Sequence, residues 1–298
     1  MTYHKSVLLT ESIDALAIVP GGIYVDATFG GGGHTREILN RLEGGRVIAF
    51  DQDEDALQNR PDDPRLTIVN SNFRFIRNFL RLHKAFSVDG ILADLGISSH
   101  QIDQPSRGFS TRYDGDLDMR MDRRKGSKAS TIINHYTEVQ LADLFFQKGE
   151  IWNSRRLAAA IVSTRKREQI ESTARLVEVI RPFAEKGKEN KYLAQVFQAL
   201  RMEVNQEEES LTEFLINATR SLKSGGRLVV ISYHSIEDRI VKNYFRSGNF
   251  DGIIEKDFYG NEKVPLNVIN RKAIVPADGE IEINNRARSA RMRIAEKI

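Results

Sequence analysis

Apolar and β-branched residues gather into five short runs along the chain: 23–28 (IYVDAT), 46–51 (RVIAFD), 66–70 (LTIVN), 89–94 (DGILAD) and 227–232 (RLVVIS). Turn-forming residues bound each run, a pattern that predicts short buried strands. Helix-like segments separate the first four, so a parallel sheet with right-handed crossovers is expected. About 130 residues of different character lie between the fourth and fifth runs. There, 137–147, 153–166 and 172–184 read as amphipathic helices, the first opened by a Thr137–Gln140 capping box. The fold class is therefore α/β, with a discontinuous sheet domain at 1–105 and 191–298 and a helical insertion at 106–190. The polar stretch AEKGKENK marks the return linker, and a single helix candidate at 192–222 leads back to the sheet.

Composition narrows the class. The 298 residues are 40% hydrophobic and 29% charged, enough apolar material for a sizeable core. No apolar run reaches the length of a membrane span, and the opening residues lack the pattern of a signal peptide. The absence of cysteine excludes disulfides and thiolate metal sites and is compatible with a cytoplasmic location. The six histidines form no ligand-spaced cluster, so no metal is expected. Net charge is +3, and the segment 271–298 alone, with seven Lys/Arg against four Asp/Glu, holds a surplus of that size. Arg286, Arg288, Arg291 and Arg293 crowd its centre and suit phosphate contacts, although a solvated basic tail would look the same.

Chemistry concentrates at the ends of the predicted strands. Four glycines, Gly30 to Gly33, follow the first strand, yet neither the dinucleotide spacing G-x-G-x-x-G nor a P-loop is present. A pyrophosphate cradle is disfavoured, while a tight turn with close helix packing stays open as the plain alternative. Asp26, Asp51 and Asp94 end the first, second and fourth strands. In a doubly wound sheet those ends line the ligand crevice, and an acid at the second can accept from both ribose hydroxyls. An acidic rim suits a cationic sulfonium and repels a diphosphate. S-adenosylmethionine is the ligand this combination predicts, and methyl transfer the reaction.

The segments HKSVLLTE, DATFGGGGHT, DLGISSHQID, RGFS, DGDLDMRMD, FQALRMEVNQE, SYHSIEDRIVK and NRARSARMR together resemble the 16S ribosomal RNA cytosine-N4 methyltransferases, the MraW family. The resemblance runs from His4 to Arg293; Gly31 and His100 depart from the family pattern, which has arginine in some members and proline at those places. It implies a Rossmann-like class I methyltransferase domain with a helical insertion for substrate recognition. It further implies methylation of N4 of one cytosine in the decoding (P-site) region, with small-subunit RNA or the ribosomal subunit as partner. Carried over residue by residue, the cofactor positions are Gly32, Gly33, His34, Asp51, Phe73, Asp94 and Gln101. Of these, Phe73 and Gln101 rest on the resemblance alone.

An exocyclic cytosine amine is a weak nucleophile, so positioning, acceptors for its protons and a route for the released proton are the requirements. The place after the fourth strand reads DLGI, without the prolines and stacking aromatic of many amino methyltransferases. Asp94, Ser98, Tyr233 and His234 are the candidates to hold the base or take the proton, with Ser235 expected to cap the helix that follows. DLDMRMD is either an extended loop with one apolar face or an element that closes over substrate. Target-base extrusion and phosphate contacts are expected, drawing on Arg107, Arg120, Arg123, Arg124, Arg155, Arg156 and the Arg286–Arg293 cluster. Three rival readings remain: an NAD-dependent oxidoreductase, which lacks its pyrophosphate loop; a methyltransferase of another RNA, a protein or a small amine; and a non-catalytic RNA-binding module. A carbon-5 route would need a cysteine nucleophile, which this chain lacks.

Overall fold

The computed structural model describes residues 6–298, so His4 and Lys5 of the opening motif lie outside the described residues. The chain divides into two compact units, one formed by 1–96 with 209–298 and the other by 97–208. The helical span expected at 106–190 falls inside the second, which extends further at both ends. In chain order the first unit carries α1 (Leu9–Ala15), β1 (Ile23–Asp26), α2 (Gly33–Arg41), β2 (Arg46–Asp51), β3 (Leu66–Asn70), α3 (Ile76–Leu82) and β4 (Val88–Asp94). The second carries α4 (Ser99–Asp103), α5 (Ala129–His135), α6 (Glu138–Gln147), α7 (Ser154–Arg165), α8 (Thr173–Ile180) and α9 (Glu189–Val204). The chain returns through α10 (Glu207–Ser221), β5 (Leu222–Ser232), α11 (Ser235–Ser247), β6 (Leu266–Val268), α12 (Asp278–Ile283) and β7 (Arg291–Lys297).

Among the described residues, seven strands form one sheet in the order β3-β2-β1-β4-β5-β7-β6. The first five are parallel, and β7 runs antiparallel to both β5 and β6. Strand interiors such as Val47–Phe50 and Ile91–Ala93 are fully buried, as expected for a parallel sheet covered on both faces. This is the α/β architecture expected from the sequence, a doubly wound, mostly parallel sheet. Two readings need correction: β1 stops at Asp26, because the chain bends there, and the far end of the basic segment 271–298, Arg291–Lys297, is β7 and not a solvated tail.

The second unit is helical around its own core, which includes Leu141, Phe145, Leu157, Ile161 and Val196. Thr137 and Gln140 form the expected capping box at the start of α6. The expected single helix at 192–222 is instead two, because α9 ends where Asn205 donates to the Met119 carbonyl at 2.8 Å and accepts from the Met121 amide at 2.8 Å. DLDMRMD is an irregular, bent stretch with Met119 at a φ of 60°; its Leu117, Met119 and Met121 are buried, while Asp118–Arg120 and Asp122–Arg124 pair locally. Among the described residues, no helix is long and apolar enough to cross a membrane.

Candidate active site

Sheet register builds the crevice. Asp26, at the end of β1, is level with Ala49 on β2 and Leu92 on β4. Asp51 and Asp94 lie two residues further along those neighbours, so both project beyond β1 from the same face of the sheet. Strand order reverses between β1 and β4, which makes this the switch point where doubly wound sheets bind ligands.

The glycine turn fills the gap after β1. Gly30 and Gly32 adopt φ of 50° and 74°, the left-handed region that glycine enters without penalty. The Gly32 amide donates to the Phe29 carbonyl at 2.7 Å, closing the turn, and α2 begins at Gly33. Arg36 holds the Gly31 carbonyl and Asn59 the Gly30 carbonyl, so the loop is braced from outside. A Cβ on Gly32 would sit 2.8 Å from the Phe29 ring. Gly32→Ala is therefore expected to lower stability by about 1–3 kcal/mol through left-handed strain, with the ring contact adding to it. Thermal melting of the variant checks this; an unchanged Tm would contradict the geometry.

Asp51 is clamped by backbone. Its Oδ2 accepts from the Gly30 amide and its Oδ1 from the Asp53 amide, each at 2.8 Å, leaving each oxygen a further lone pair. Burial pushes its carboxyl up to about 7, against the lowering effect of those two amides. Asp26 is fully buried, accepting from the Thr28 amide at 3.1 Å and the Thr35 hydroxyl at 2.7 Å, and burial raises its pKa as well.

Asp94 is the third acid. Its Oδ1 accepts from the Tyr233 hydroxyl at 2.7 Å, and Thr28 Oγ1 accepts from its amide at 2.7 Å. Burial pushes this carboxyl up to about 6, although His34 and the Tyr233 hydrogen bond act in the other direction. His34 is buried, and burial lowers its pKa. Its Nε2 lies 3.2 Å from the Val7 carbonyl, which can only accept, so Nε2 carries the proton. Its Nδ1 faces Asp94 Oδ2 at 3.9 Å, beyond hydrogen-bond distance. Among the described residues no lysine or arginine contributes to the pKa shifts of Asp26, Asp51 or Asp94. Three clustered acids with no lysine or arginine among the groups that shift them most are electrostatically suited to a positively charged ligand.

The remaining sequence candidates separate into groups. Phe73 is half-buried in the first unit, its ring edge-on to Phe214 with centroids 5.0 Å apart. Ser98 and Gln101 lie in the second unit and make a reciprocal capping box on α4, with Gln101 buried. His234, not Ser235, caps α11: its Nδ1 accepts from the Glu237 amide at 3.4 Å, because Glu237 stands at the third helical position from His234. Arg107 leaves the set of surface cations, since it is 2% exposed and donates to the Arg120 and Met121 carbonyls. Arg293 leaves it too, being buried in a bidentate pair with Asp238 at 2.6 and 3.0 Å. Arg120 and Arg124 are paired with Asp118 and Asp122, whereas Arg123, Arg155 and Arg156 are exposed. In the first unit Arg288 and Arg291 are exposed and Arg286 is half-buried.

Sequence reasoning did not single out Thr28 or Thr35 as partners of the acids, although both lie in the DATFGGGGHT motif. A threonine two residues beyond a strand-end aspartate was the available signal. Tyr233 was a candidate for holding the base; its hydroxyl instead belongs to Asp94.

Comparison with known proteins identifies the family. The model of the MraW methylase family matches residues 1–298. A ribosomal RNA small subunit methyltransferase H of Bacteroides fragilis (strain YCH46) is 56% identical over 297 residues, covering 99% of this chain and 98% of its own. Its counterpart of the same name in Bacteroides thetaiotaomicron is 56% identical, covering 100% of this chain and 98% of its own. That in Flavobacterium johnsoniae is 54% identical over 299 residues, with 100% and 99% covered. A family match over the whole length, together with relatives at this identity, places the chain in the MraW methylase family.

Proposed function

We propose that this methylase transfers the methyl group of S-adenosylmethionine to N4 of one cytidine in the decoding region of 16S ribosomal RNA. The observation that carries the cofactor reading is the cluster of Asp26, Asp51 and Asp94 around a glycine turn, with no lysine or arginine among the groups that shift their pKa values. Asp51 presents both carboxylate oxygens to a ribose diol, already aligned by the Gly30 and Asp53 amides. The start of α2, at Gly33 and His34, supplies the positive end of a helix to the methionine carboxylate. Phe73 and Gln101 join this set by family resemblance. The cofactor supplies an electrophilic methyl group on a cationic sulfur.

The chain's own residues do the rest. Asp94 accepts from the cytosine amino group, favouring the tetrahedral nitrogen that forms as the methyl arrives. A carboxyl near 6 is also matched to receiving the proton that N4 then releases, and the Tyr233 hydroxyl fixes its orientation. Ser98 and His234 serve as helix caps, so their part is to hold the segments after β4 and β5. The second unit, with exposed Arg123, Arg155 and Arg156, is the RNA-recognition domain in this reading, and the cytoplasm is where the substrate is made.

Mass mapping of methylated nucleosides in small-subunit RNA, from cells with and without the protein, tests the proposal. One decoding-region cytidine should lose its N4-methyl group when the protein is absent. An unchanged map would remove the RNA assignment.

A further inference from the structure

The first turns of α11 and the chain from Val275 to Arg291 enclose a cleft of about 620 Å³ within the first unit. Arg239, Lys242, Arg288 and Arg291 line it, facing a single acid, Asp238. That acid is already engaged: burial works to raise its pKa, but the pairing with Arg293 and then Arg291 outweighs this and holds it below the usual carboxylate range. Arg239, Lys242 and Arg288 are exposed and, among the described residues, make no side-chain hydrogen bond or ion pair. Arg239 and Lys242, three apart on α11, share one helix face. Unneutralised like charges around one cleft repel one another, a cost that a polyanion removes.

The lining also fixes the kind of polyanion. Apart from Tyr233 and His234 at one end, it offers no flat aromatic ring on which a base could stack: besides Asp238 and the small apolar Val275 and Ala290, the lining is cations and small polar side chains. Such a surface grips phosphate rather than reading base edges. Tyr233, at that end, is the residue whose hydroxyl meets Asp94. We propose that this cleft binds the sugar-phosphate backbone of the RNA strand next to the nucleotide being methylated, independently of its sequence. This assignment rests on the RNA reading above and adds Arg239 and Lys242 to the substrate contacts, in place of the buried Arg293.

The test uses the full chain and a fluorescently labelled single-stranded oligouridylate, titrated over a range of salt concentrations. Each lost phosphate contact should reduce the slope of log affinity against log salt by about 0.7, so the Arg239→Gln/Lys242→Gln variant should lose about 1.4 and Arg288→Gln about half of that. In methylation assays the KM for small-subunit RNA should rise about tenfold for the double variant, with S-adenosylmethionine affinity unchanged. All three side chains are exposed, so the variants retain the fold, and thermal melting verifies it. An unchanged salt slope in a variant preparation, alongside wild-type protein that methylates RNA normally, overturns the cleft assignment alone. Wild-type protein that binds no RNA overturns both this inference and the proposed substrate.

Discussion

Asp51→Asn is expected to weaken S-adenosylmethionine binding by about 10²–10⁴-fold, the effect of losing two hydrogen bonds to a charged acceptor at about 1.5–3 kcal/mol each. Asparagine keeps the shape but has one acceptor oxygen, whereas the Gly30 and Asp53 amides approach two. Its NH2 group must therefore oppose a backbone donor, disturbing the glycine turn as well as the ribose contact. The pH dependence separates this from a general loss of structure. The folded carboxyl titrates near 7, above its ordinary 3.8. A raised carboxyl pKa contributes stability at low pH that is lost as pH rises from about 4 through about 7, because the folded state holds the proton longer. Ligand binding that needs the ionised form follows the opposite course. Wild-type affinity should thus be about tenfold higher at about pH 8 than at about pH 6, and the variant's dependence should be flatter. Calorimetric titration at the two pH values decides it; a variant that binds as tightly as wild type at both would remove Asp51 from the cofactor site.

Much of this site is visible in the linear order of residues, because its chemistry sits at strand ends. An apolar run stopping at an aspartate locates both the strand and the crevice, which is how Asp26, Asp51 and Asp94 come into view before any coordinates. What is hidden depends on partners distant in sequence. The basic segment can pass for a solvated tail because arginine occupies a buried position of β7, and among the described residues it is Asp238, 55 residues upstream, that makes that burial tolerable. The break between α9 and α10 carries neither glycine nor proline; Asn205 ends α9 through contacts with Met119 and Met121, more than eighty residues earlier. Arg107 and Arg123 look alike in the sequence, yet carbonyls from another loop draw one inward and leave the other in solvent. Ser235 fits a capping pattern as well as His234 does. The frame shifts by one because the Glu237 amide donates to His234 Nδ1 at 3.4 Å, while the Glu237 carboxylate accepts from the Tyr233 amide, one residue before the cap, at 3.0 Å.

Asp238→Ala is expected to destabilise the first unit by about 3–5 kcal/mol, since it leaves the Arg293 guanidinium buried without its counter-charge. Arg293 is 8% exposed and both of its bonds to Asp238 are short, at 2.6 and 3.0 Å, so water cannot substitute without opening the contact between α11 and β7. Arg291 adds little, because it is 57% exposed and 3.3 Å away. At about 2–4 °C per kcal/mol for a unit of this size, Tm should fall by roughly 6–20 °C. The pair itself contributes far less than its removal costs, because ionising two buried groups carries a desolvation penalty that offsets their attraction. An Asp238→Leu/Arg293→Met double variant should therefore recover most of the lost stability. Asp238 titrates below its usual range, so its contribution is present above about pH 4 and disappears as pH falls through the folded pKa. The single variant's deficit should accordingly shrink in acid. Thermal melts of the wild type, the single and the double variant at neutral and acidic pH provide the measurement. A double variant no more stable than Asp238→Ala would mean that the two side chains hold β7 by separate contacts instead of through each other.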